Sequence, residues 1–185
     1  LTNNFFENYN NSGTNNVSNN QMINGVSNMN FNNDLYINGT FTINYGHVVT
    51  ISCIGHCLPD AKIVVQPGGK LIVNEGKITS YCPDKMWDGI YVVGNKNQLQ
   101  YAQYQGTLEV RNGSLIENAK CAVAVWDGTN DNTTGGIVNC INTTFRNNAR
   151  SAFFPEYNAY VSDTIENANH SKFNLCIAND IKFFS

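Results

Sequence analysis

From Asp34 onward the chain alternates short apolar or β-branched runs with clusters of Gly, Asn and Pro. Leu35-Tyr36-Ile37 gives way to Asn38-Gly39, and Thr40-Phe41-Thr42-Ile43 to Asn44-Tyr45-Gly46. Lys62-Ile63-Val64-Val65 ends at Gln66-Pro67-Gly68-Gly69, and Leu71-Ile72-Val73 at Asn74-Glu75-Gly76. Such runs are too short for helices and are bounded by turn chemistry, so they predict strands. No helical period lies between them, which argues against a βαβ sheet.

Three blocks share one order of parts: Gly, short strand, polar turn, apolar residue. They are Gly69–Ile78, Gly106–Ala119 and Gly136–Ala149. A recurring unit predicts a solenoid, with loops of unequal length leaving a regular coil. The expected fold is all-β: a right-handed parallel β-helix of about five coils over residues 34–176. Alternate side chains point inward and stack from coil to coil. The expected core is Ile63, Val65, Leu71, Val73, Ile78, Ile90, Val92, Leu108, Val110, Ile116, Val123, Val125, Ile137 and Phe145. The competing all-β architecture is an antiparallel sandwich, suggested by the hairpin-like Asn38-Gly39 and Asn112-Gly113. Residues 1–33 form an Asn-rich lead with scattered aromatics, read as a linker or as an irregular N-terminal cap. Residues 34–185 form the β-helix domain. The final run, 181–185, is apolar and strand-like, so further coils, a domain or a subunit are expected to cover that end.

Composition narrows the class. Of 185 residues, 14% are charged and 42% hydrophobic, with a net charge of -3. Low charge disfavours a helical bundle, and no basic footprint for nucleic acid is present. About one residue in six is Asn, which favours turns over helix. No apolar run is long enough for a membrane helix. The first residues, Leu1-Thr2-Asn3-Asn4, show no signal peptide, as expected of a mature chain or a fragment. Six cysteines form no CxxC pair and no zinc spacing, and low charge with several Asn-x-Ser/Thr sequences suits an extracytoplasmic protein, where disulfides can form. Cys57 and Cys82 flank one expected coil, so a disulfide is predicted between them, with Cys53 as the rival partner. Cys121, Cys140 and Cys176 are expected to be buried thiols.

The ordered blocks Cys57-Leu58-Pro59, Ile63 to Val73, Cys82-Pro83, Met86-Trp87-Asp88-Gly89-Ile90, Gln105-Gly106-Thr107-Leu108, Ile116-Glu117-Asn118-Ala119, Gly135 to Val138, Phe145-Arg146-Asn147-Asn148 and Asn169 to Cys176 carry a resemblance. The stretch resembles a family of secreted right-handed parallel β-helix domains from Bacteroidota. These share the pectin-lyase-like fold and are often cargo of type IX secretion. The resemblance implies a secreted or cell-surface location and no catalytic residues.

Two segments carry candidate binding chemistry. Trp126-Asp127-Gly128 opens a polar loop containing Asn130 and Asp131, and an aromatic beside carboxylates and amides on a projecting loop suits carbohydrate. Tyr101 and Tyr104, among Gln98, Gln100, Gln103 and Gln105, form a second such loop. Trp87 is a third candidate, its rival role being to cover the core at a corner. Asp127, Asn130 and Asp131 lack the EF-hand spacing, so no metal or cofactor is expected. For catalysis, Asp88, Asp127, Asp131 and Asp163 form no compact motif, and no nucleophile elbow is present. The expected function is a non-catalytic, adhesin-like module that binds a glycan or a surface protein through its loops. The alternatives are a polysaccharide lyase or glycoside hydrolase, and a structural or cargo domain of a larger exported protein.

Overall fold

The computed structural model describes residues 15–18, 21–22, 28–157, 172–174 and 176–179. Within the Asn-rich lead lie β1 (Asn15–Ser18), β2 (Gln21–Met22) and β3 (Asn28–Phe31). Then come β4 (Leu35–Asn38), β5 (Thr40–Ile43), β6 (Val48–Ile51), β7 (Ile54–Cys57), β8 (Lys62–Val65) and β9 (Lys70–Asn74). After these come β10 (Lys77–Ser80), β11 (Trp87–Val92), β12 (Thr107–Arg111), β13 (Leu115–Glu117), β14 (Ala119–Ala124) and β15 (Ile137–Ile141). The last are β16 (Thr144–Arg146), β17 (Ala152–Phe153), β18 (Lys172–Asn174) and β19 (Ile177–Asn179). Among the described residues the only helical element is one turn of 3-10 helix, Asp131–Thr133.

Every strand pairs in parallel with the strand three places away in the chain. The result is three parallel sheets. The first, of seven strands, runs β1-β4-β7-β10-β13-β16-β19; the second, of six, takes β2 through β17; the third, of six, takes β3 through β18. Each circuit of the chain visits the three sheets in turn, which is a stacked parallel solenoid and not an antiparallel sandwich. β3 pairs with β6, and Met29 and Phe31 from the lead are buried in the core. The solenoid packing therefore includes part of the lead. The C-terminal run, 181–185, lies outside the described residues.

The core consists of inward ladders. Leu71, Leu108 and Val138 are in register on the third sheet, beside Val73, Val110 and Cys140. Phe41, Ile63, Ile90 and Val123 form the ladder of the second sheet. Ile78, Ile116 and Phe145 form that of the first. All fourteen core residues expected from the sequence are buried. Burying one such aliphatic side chain contributes roughly 1.5–3 kcal/mol.

The corners explain the turn residues. Asn118 and Asn147 stand at φ 59° and 54° between the first and second sheets, a left-handed conformation that Asn tolerates. Asn148, fully buried, accepts from Ala119 N at 2.9 Å and donates to Ile116 O at 3.1 Å, tying its corner to the preceding coil. Between the third and first sheets a small polar side chain recurs. Ser114 Oγ donates to Val73 O (3.2 Å), Thr143 Oγ1 to Val110 O (3.1 Å) and Cys176 Sγ to Cys140 O (3.3 Å). The three carbonyls belong to residues in register, so one hydrogen bond is repeated coil after coil.

The expected Cys57–Cys82 bridge is not formed, and both residues are free thiols. The register gives the reason. Cys57 is an inward rung facing Ser80, two residues short of Cys82, and it is wholly buried. Cys82 lies in the turn after β10, where its N–H reaches Ser80 Oγ. Burial pushes the Cys57 thiol pKa far above its ordinary value.

Candidate functional site: a cluster of loops at one corner

The long loops leave the solenoid at one corner. The segments 93–106, 125–136 and the one beginning at 154 all connect the second sheet to the third, in successive coils. Stacking of the coils therefore stacks the loops. Gly94 N donates to Thr133 O at 2.7 Å, and Lys96 N to Asn132 O at 2.9 Å. Gln100 Nε2 reaches Gly135 O at 3.4 Å, Thr134 Oγ1 donates to Glu156 O at 2.8 Å, and Tyr157 OH donates to Gln98 O. The two loops that the sequence nominates separately thus form one hydrogen-bonded surface, joined by a third.

Gln105 holds the first loop. Its amide is fully buried, accepts from Asn95 N at 2.8 Å, and lies 3.1–3.2 Å from the carbonyls of Asn95, Gln98 and Leu99. It is therefore an internal brace and not a solvated glycan contact. Gly94 packs against it: a Cβ there would sit 2.2 Å from Gln105 Oε1 and 2.6 Å from Gly136 N.

The second loop is braced by two of its nominated residues. Asp127 Oδ1 accepts from Thr129 N (2.8 Å), Asn130 N (2.7 Å) and Thr129 Oγ1 (3.2 Å). Burial resists ionisation of Asp127, but these hydrogen bonds outweigh it and hold the carboxyl below its usual range. Asn130 caps the 3-10 turn, its Oδ1 accepting from Asn132 N at 3.0 Å. Asp127 and Asn130 are thus committed to the loop's own shape, whereas Asp131 is exposed. Trp126 is half-buried, with its ring edge-on to Phe153 at 5.8 Å and 64°. The Arg150 guanidinium lies 4.9 Å over the same Phe153 ring. Tyr101 is half-buried and Tyr104 is 38% exposed; Leu99 of the same loop is 41% exposed and Phe154 of the third loop 44%. Leu99, Arg150, Phe153, Phe154 and Tyr157 carry no local motif. Only the coil stacking brings them to this corner.

Trp87 is not available to a ligand. It is wholly buried, and its Nε1 donates to Glu117 O at 2.9 Å. Gly89, at φ 128°, sits where β14 carries one extra residue, and a Cβ there would lie 1.7 Å from Cys121 O. Asp88 is paired with Lys120 at 2.8 Å. The Trp-Asp-Gly-Ile segment is thus a corner plug set against a bulge in β14. Among the described residues, no group of three or more His, Cys, Asp or Glu is placed to hold a metal ion. Among the described residues, no helix is long and apolar enough to cross a membrane. Asp163 lies outside them.

No family model, no curated protein and no solved structure matches the chain.

Proposed function

We propose that this chain is a non-catalytic glycan-binding module of the adhesin kind, secreted or displayed at a cell surface. In this reading the solenoid is right-handed, has about five coils from residue 34 onward, and belongs with the Bacteroidota β-helix domains it resembles. The observation that carries the reading is the loop corner. Three successive coils hydrogen-bond their loops together, and those loops carry Trp126, Tyr101, Tyr104, Leu99, Phe154 and Asp131, each at least partly exposed. Rigid aromatics bind at little entropic cost, and the flanking amides and carboxylate suit the hydroxyl rim of a sugar.

The acids favour binding over hydrolysis. Asp127 shapes its own loop, and Asp88 shares the Lys120 ammonium with Asp60. Asp60 and Asp88 do face each other, but Lys120 Nζ lies between them, 2.7 and 2.8 Å from the two carboxylates, and occupies the gap that hydrolysis leaves to the scissile bond. A glycan array tests the proposal. Binding by the wild type that weakens in Trp126→Ala and Tyr104→Ala, without release of shortened products, supports it. Product release would favour the hydrolase or lyase, and an empty array a structural or cargo role.

A further inference from the structure

The first sheet lies opposite the loop corner, because that corner joins the other two sheets. Its outer face carries a compact cluster unrelated to the loops. Tyr36 of β4 and His56 of β7 are in register, with their rings stacked at 4.7 Å and 20°. Tyr81, just after β10, stands edge-on to both, 5.6 Å from Tyr36 and 6.0 Å from His56. The Asp34 carboxylate lies 3.4 Å from His56 Nε2, a long contact that leaves it acceptor capacity, and its side chain is 49% exposed.

The cluster is fixed in place and open. Tyr36 and His56 are held by parallel pairing. Tyr81 is held by its N–H to Cys57 O at 2.7 Å, with Ser80 Oγ donating to Cys82 O at 2.9 Å across the same turn. Tyr81 nonetheless remains 54% exposed. Nothing in the core needs these rings, because the inward rungs beside them are Leu35, Ile37, Cys57 and Ile78.

We propose that Asp34, Tyr36, His56 and Tyr81 form a second saccharide-binding site, independent of the loop corner. A pyranose ring presents one C–H face and a rim of hydroxyls. The C–H face matches the open Tyr81 ring, and the rim matches the Asp34 carboxylate and the His56 imidazole beside it. A neutral sugar fits better than an anionic one, because the group nearest the rings is a carboxylate. With the loop corner on the opposite side, the module would hold two glycan chains at once and cross-link them.

The test uses the whole chain carrying Trp126→Ala and Tyr104→Ala, which disables the loop corner. Neutral trisaccharides of glucose, mannose, xylose and N-acetylglucosamine are titrated singly while the His56 ring signals are followed by NMR. At least one should shift those signals to saturation. Tyr81→Ala should then weaken the binding about tenfold or more, while Tyr81→Phe, which keeps the ring, should preserve it. Because Tyr81 is exposed, neither change threatens the fold. The inference is overturned if no trisaccharide moves the His56 signals, or if Tyr81→Ala binds like its parent. Those results leave the loop-corner reading standing, since its residues are absent from this test.

Discussion

Two tryptophans with near-identical sequence surroundings, Trp87-Asp88-Gly89 and Trp126-Asp127-Gly128, have opposite roles. Trp87 fills a corner of the core, and Trp126 stands half-exposed at the loop corner. Trp87→Ala should cost about 3–5 kcal/mol in a denaturant titration. Trp126→Ala should leave the unfolding midpoint nearly unchanged. Glu117 makes a second claim at this scale. Its carboxylate, 5% exposed, receives Lys77 Nζ at 2.7 Å, Thr79 Oγ1 at 3.0 Å, and Arg146 Nε and Nη2 at 2.8 and 2.6 Å. Burial resists its ionisation, but these partners more than offset that and hold the pKa below its ordinary 4.5. The folded pKa lies below the unfolded one, so the carboxylate's contribution is complete above the unfolded value and is lost as pH falls through the folded one. Wild type should therefore be more stable than Glu117→Gln at neutral pH, and the gap should close in acid. An equal gap at both ends of the pH range would contradict this. Cys57 adds a third claim. As a buried thiol with a strongly raised pKa, it should resist alkylation in the native state of an unreduced sample and react only on unfolding.

At the scale of elements, the strands and their inward faces were legible in the sequence because alternation within a run is a local signal. The run Leu71-Ile72-Val73 shows its buried face without reference to any neighbour. Register between coils is not local. The pairing of Cys57 with Ser80 depends on how many residues each corner absorbs, and an offset of two residues separates the free thiols from the expected bridge. The first strands were obscured for another reason. Asn28–Phe31 holds only two apolar side chains among asparagines, so its composition reads as a lead while its alternation is that of β3. Gln105 was misread because a loop amide and a buried brace look alike until the carbonyls around it are known. The repeated corner hydrogen bond gives a graded expectation. Ser114→Ala should destabilise by about 1–3 kcal/mol, because it removes the one hydroxyl proton that Val73 O and Arg111 O share and leaves Gly76 N without its acceptor. Thr143→Ser, which keeps the hydroxyl, should cost less than Thr143→Ala in the same thermal melt.

At the scale of the whole molecule, the described strands stack coil on coil and bring loops from distant parts of the chain together. Residues near 100, 130 and 155 meet because successive coils send their loops out at one corner and bond them together. A binding module gains from this arrangement, since the surface is ordered before the ligand arrives. The same stacking hides the site from sequence reading, which found Trp126 and Tyr104 as separate candidates and had no signal for Phe154 or Arg150. The most direct test is a hydrogen-exchange footprint of the full chain with a glycan selected on the array. The account predicts slowed exchange concentrated in 94–105 and 126–136, lost when Trp126 is replaced by Ala. A selected glycan that still binds the Tyr81→Ala chain yet leaves both loops unprotected would contradict it.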